Sequence, residues 1–120
     1  MIVGVRVMNF SLPENSSLKG KRAVVRSAIE RASGRFNAAI AEVSSQDEHR
    51  LAVIAISVLS TSQGHAARML DEIDRFLSQA DGWIPRAQRT EFVAMGVLPG
   101  ATMGDDLSWT DFEDDDHESL

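Results

Sequence analysis

Apolar residues alternate from Ile2 to Phe10, with Val3, Val5 and Val7 on one side of an extended chain and Ile2, Gly4, Arg6 and Met8 on the other. Period-two alternation of β-branched residues predicts a strand, and both of its faces are largely apolar. The period then changes. From Ser17 to Arg35 the residues Val25, Ala28, Ile29 and Ala32, followed by Phe36, recur at helical spacing and predict one long helix. Leu12-Pro13-Glu14-Asn15 forms the turn before it, Ser16 or Ser17 serves as its cap, and Gly34 supplies a stop.

Asn37 to Val43 reads as a second strand, and Ser44 to Glu48 as the polar turn after it. Arg50 to Leu59 is the most apolar strand of the chain, with both faces suited to burial. Ser60-Thr61-Ser62 caps a second helix whose stripe is Ala66, Met69, Leu70, Ile73, Phe76 and Leu77, and Asp81-Gly82 ends it. Arg68 with Glu72 and Asp71 with Arg75 are placed to pair along its wet side. Arg86 to Val97 supplies a last strand, broken by Pro99-Gly100.

Strand, helix, strand, strand, helix, strand is an α+β order. Its compact solution is the ferredoxin-like plait, a four-stranded antiparallel sheet with both helices on one face. That arrangement makes the first and third strands central, and these are the two strands apolar on both faces. The alternation assigns Ile2, Gly4 and Met8, with their neighbours on the third strand, to the open side. A homo-oligomer, a dimer first of all, would bury such a patch.

The periodic pattern stops near residue 98, which divides the 120 residues into a folded domain, 1–98, and an acidic tail, 99–120, expected to be disordered. The absence of cysteine excludes disulfides and thiolate chemistry. No apolar run approaches the roughly 20 residues that cross a bilayer, and MIVGVR does not read as a signal peptide. A cytoplasmic protein without membrane attachment is the expectation.

Charge is segregated. The net charge is −6, yet residues 105–120 hold eight acids and no Lys or Arg, so the remainder carries 12 basic against 10 acidic side chains. Residues 1–35 alone hold seven basic and two acidic. Lys19, Lys21, Arg22 and Arg26 on the first helix are therefore the candidate contacts for phosphates, with RNA or the ribosome as partner. A wet helix face is the plainer explanation of the same residues.

Other chemistries meet specific obstacles. The junction Asn15 to Arg22 lacks the first glycine and the final Ser or Thr of a phosphate loop. RNA-recognition modules stack bases on aromatic residues of the central strands, where this chain has Val, Ile, Ala and Met. The first loop, Ser11 to Ser16, has no glycine for an acylphosphatase-like cradle. His49, His65 and His117 show no metal-ligand spacing. Asp47, His49 and Arg50 form a polar hairpin cluster of unassigned role, the best enzyme candidate in the chain, although a polar turn explains it more cheaply. No catalytic residue, metal or cofactor is assigned, and the balance leans away from an enzyme. In the tail, Trp109 and Phe112 among acids are candidates for docking a partner protein, against the alternative of a solubilising extension.

The stretches MIVGV, SLKGKRAVVRS, RFNAAIAEV and QDEHRLA resemble the YlxP-like family of small bacterial proteins. The resemblance covers about residues 1–95 and leaves out the acidic tail. It implies a ferredoxin-like fold and no established activity. Genes of that family often neighbour those of a translation initiation factor and a ribosome-binding factor, which implies a role near the ribosome by association only. The expectation is a non-enzymatic binding protein, RNA- or ribosome-associated, with a protein adaptor or oligomeric module as the alternative.

Overall fold

The computed structural model describes residues 1–98. The expected tail, with Trp109, Phe112 and His117, lies outside the described residues. The elements are β1 (Ile2–Ser11), α1 (Leu18–Arg35), β2 (Ala39–Ser44), β3 (Leu51–Ser60), α2 (Gln63–Ser78) and β4 (Ile84–Ala94). The sheet order is β2-β3-β1-β4 with every neighbouring pair antiparallel. This is the α+β arrangement of a ferredoxin-like plait, with β1 and β3 central.

Each helix starts where a serine side chain can take up a free backbone N–H. Ser17 caps α1 by accepting from Gly20 N at 3.0 Å, and Ser62 caps α2 by accepting from His65 N at 3.2 Å. Of the two serines proposed for α1, the second is the cap. α2 ends at Ser78, ahead of the Asp81-Gly82 stop, and Gly82 takes φ 100° to turn the chain toward β4.

The core lies between one sheet face and the two helices. Met8 and Phe10 of β1 and Ala52, Ile54, Ile56 and Val58 of β3 are buried against Val25, Ala28 and Ala32 of α1. Ala66, Leu70, Ile73 and Leu77 of α2 complete it. Gly4 lets α2 approach closely, since a Cβ there would stand 3.1 Å from Leu70 Cδ1. Trp83 closes the end of this layer. Its ring stacks on Phe10 at 4.0 Å and its indole N–H donates to Leu77 O at 2.7 Å. A buried tryptophan thereby keeps both its packing and its polar atom satisfied.

The covered face is the opposite of the one expected. Gly4 and Met8 are buried beneath the helices and Ile2 packs against the core, whereas Val3, Val5 and Val7 line the open side. Cross-strand register places Leu59 and Ala55 of β3 and Val93 of β4 on that same open face. Reach decides the matter: Met8 and Phe10 are each larger than a valine and extend further into the helix layer. Arg6, on this same covered face, is tolerated underneath because each of its three guanidinium nitrogens has a partner.

That engagement bridges three elements. Arg6 donates through Nε to Thr90 Oγ1 at 2.8 Å, through one terminal nitrogen to Asp74 Oδ2 at 3.0 Å, and through the other to Asp71 Oδ1 at 2.9 Å. The guanidinium fork suits this use because its donors are fixed in one plane. Asp71 is thus committed to Arg6. Neither the Asp71–Arg75 pair nor the Arg68–Glu72 pair expected along α2 is among the ion pairs of the described residues.

Candidate functional site

The basic stripe divides into two chemically different sets. Lys19, Arg22 and Arg26 are exposed on α1 and make no ion pair or side-chain hydrogen bond among the described residues. They stand at i, i+3 and i+7, so their side chains rise from one flank of the helix. Three exposed cations, with Glu30 one turn beyond Arg26 as the nearby acid of the helix, form a surface suited to a polyanion.

Lys21 is different, and its assignment as a surface phosphate contact is overturned. It lies four residues before Val25, on the core stripe, and is completely buried. Its ammonium donates to the carbonyls of Ser45, Glu48 and Leu51 at 2.5, 2.7 and 2.9 Å. Those three acceptors use all three of its protons. The Glu42 carboxylate at 2.9 Å therefore supplies opposite charge rather than a further hydrogen bond, and Glu42 Oε2 has no hydrogen-bond partner. A buried charge is tolerable when it is paired and its donors are occupied, which is the case here.

Lys21 acts as a latch on the β2–β3 connection. Ser45, one of its acceptors, holds φ 60°, a region uncommon for residues other than glycine. Asn15 reinforces the latch from the turn before α1, donating to the carbonyls of His49 and Ser17. Leu12 N and Arg50 O join the same two turns at 2.9 Å, and Arg50 Nε reaches Asn15 O at 3.3 Å. Gly20 leaves the space that Asn15 needs, because a Cβ there would meet Asn15 Oδ1 at 2.4 Å.

The hairpin cluster Asp47, His49 and Arg50 is not assembled into a side-chain constellation among the described residues. Asp47 is exposed, His49 is held through its backbone carbonyl, and Arg50 bonds a backbone carbonyl of the neighbouring turn. Lys21, Asn15 and Glu42 organise this corner, and one signal for Lys21 was legible: its spacing from Val25 puts it on the buried stripe. His65 stands at the start of α2, with Nδ1 2.9 Å from Ser60 Oγ.

The architecture is thus an α+β plait carrying a basic helix flank, with a turn region latched from below by a buried lysine. A family model described as "Protein of unknown function (DUF503)" matches residues 3–84, and the chain belongs to that family. The match begins in β1, takes in both helices and the latched turn, and ends at the first residue of β4. No curated protein matches the chain. Among the described residues, no helix is long and apolar enough to cross a membrane.

Proposed function

We propose that the protein is a non-catalytic binding module whose exposed α1 flank grips the phosphates of RNA, with ribosomal RNA as the first partner to test. The observation that carries this reading is the placement of Lys19, Arg22 and Arg26 on one exposed flank, with no ion pair among the described residues. The likeness of SLKGKRAVVRS and RFNAAIAEV to YlxP-like proteins supports the ribosomal direction by association. The latch beneath the flank supports it physically, since it fixes the turn from which α1 rises.

If about three phosphates are neutralised, log affinity falls with log salt at a slope of roughly −2 to −3. Arg22→Glu with Arg26→Glu flattens the slope and weakens binding to all RNA sequences alike, because phosphate contacts carry no base readout. Removing residues 105–120 strengthens binding, since those residues carry eight acids and no Lys or Arg. Intact and shortened chains titrated against ribosomal RNA at two salt concentrations provide the measurement. Binding no stronger than that of a neutral control protein, by either chain, ends this reading.

A second reading, a homo-oligomeric module, is favoured by the open sheet face. Leu59 and Val93 on that face are 63% and 56% exposed, beside the valines of β1. Stacking of two such faces removes apolar surface from water at about 25 cal/mol per Å². Light scattering at micromolar concentration is expected to give a dimer mass that Leu59→Lys with Val93→Lys converts to a monomer. A monomer mass for the wild-type chain rejects the second reading and leaves the RNA reading intact.

A further inference from the structure

α1 carries a second pair of arginines on its other flank. Arg31 follows Arg22 by nine residues and Arg35 follows Arg26 by nine, which at 3.6 residues per turn rotates each about 180° around the helix. Arg35 faces α2 and borders a groove of about 370 Å³ lined by Arg35, Phe36, Glu72, Arg75, Phe76 and Gln79. Its guanidinium lies 5.6 Å from the Phe36 ring centre and 5.2 Å from that of Phe76, while the two rings meet edge to face at 5.5 Å.

One acid, Glu72, lines the groove beside two arginines, and a second acid is drawn away for a reason found elsewhere in the fold. Asp71 is the natural i,i+4 partner of Arg75, and Arg6 has taken it from the sheet side. Neither Arg35 nor Arg75 makes an ion pair among the described residues. The result is one guanidinium over an aromatic floor with a second arginine lining the same groove, a surface that fits an acidic segment bearing an aromatic side chain.

The chain supplies a segment of that composition. We infer that Trp109 and Phe112, within Leu107 to Glu113, dock in the Arg35–Arg75 groove, with the neighbouring acids pairing the two arginines. The aromatic rings match the Phe36–Phe76 floor, and Asp111 and Glu113 alternate with them to supply charge opposite to that of the two arginines. The eleven residues from Leu98 to Trp109 extend to about 36 Å. Tethering also raises the effective concentration of the segment to roughly the millimolar range, so weak contacts suffice. The inference does not depend on RNA binding, because the groove and the Lys19–Arg26 flank lie on opposite sides of α1.

The test uses the full chain and its two tryptophans. Trp83 is buried and constant, so changes in acrylamide quenching report Trp109. Arg35→Gln with Arg75→Gln removes both charges at exposed helix positions without placing an acid near a helix C-terminus. The expected result is a several-fold rise in Trp109 quenching for this pair, and wild-type quenching for Arg22→Gln with Arg26→Gln. In the wild-type chain, nuclear Overhauser contacts are expected between the Trp109 indole and the Phe36 or Phe76 ring. Full quenching of Trp109 in the wild type, or a rise caused by the Arg22/Arg26 pair instead, overturns the inference. So does the absence of those ring contacts.

Discussion

Lys21→Met is expected to cost about 3–5 kcal/mol of stability, the range found when one partner of a buried ion pair is removed. The substituted side chain fills most of the volume but donates nothing. Three carbonyls, those of Ser45, Glu48 and Leu51, lose their donor, and Glu42 keeps a mostly buried carboxylate without opposite charge. For a domain of this size the loss lowers the melting temperature by about 12 °C or more. Adding Glu42→Leu recovers only part of it, because removing the carboxylate does nothing for the carbonyls. Lys21→Arg is also destabilising, since a planar fork cannot aim three donors from one atom. Thermal and urea melts followed by circular dichroism measure all three variants. A Lys21→Met chain that melts with the wild type would show that the ammonium does not hold the turn.

Arg6→Leu is expected to have the second-largest effect, a loss of about 2–4 kcal/mol. The value is set below that for Lys21 because Asp71 is more than half exposed and water screens its share of the interaction. Asp74 carries most of the effect, being 22% exposed and also the acceptor for Ser78 Oγ at 3.0 Å. Combining Arg6→Leu with Asp74→Asn is expected to restore part of the lost stability, whereas Asp71→Ala alone costs under about 1 kcal/mol. Urea denaturation of the four chains checks the order. Equal losses for Asp71→Ala and Arg6→Leu would contradict this division of the network.

The two cations also mark the limit of what the chain's pattern discloses. Central placement of β1 and β3 was readable because each is apolar at nearly every position, a composition better suited to a strand with neighbours on both edges than to an edge strand. The choice of covered face was not readable. Arg6 interrupts the buried face and three valines make the open face look like core, so local hydropathy favours the wrong side. The residues that make Arg6 acceptable, Asp71, Asp74 and Thr90, stand 65 to 84 positions away. Lys21 repeats the pattern, with its acceptors 24 to 30 residues downstream. Its spacing from Val25 places it on the core stripe, whereas its charge taken alone argues for solvent. The Asp71–Arg75 pair failed for the same reason: a distant partner displaced a local one.

The candidate flank fared differently. Lys19, Arg22 and Arg26 were identified by type and spacing, and the fold leaves them exposed. The Arg35–Phe36–Arg75–Phe76 groove could not be seen beforehand, because it joins the end of one helix to the last turns of another.

The strand order also sets the tempo of folding. β1 is the first element made, yet its neighbours are β3 and β4, and Ile2 pairs with both Ser60 and Ala94. The β2–β3 hairpin closes a short loop and forms early, but β1 has one edge without a partner until β4 arrives. Closing such long loops carries an entropy cost that no local contact offsets in advance, so sheets of this kind fold more slowly than helical domains of equal length. During synthesis, that interval leaves a valine-rich strand edge open to other chains. Conditions that slow elongation past residue 84 should therefore promote aggregation, even though the finished protein is unaffected.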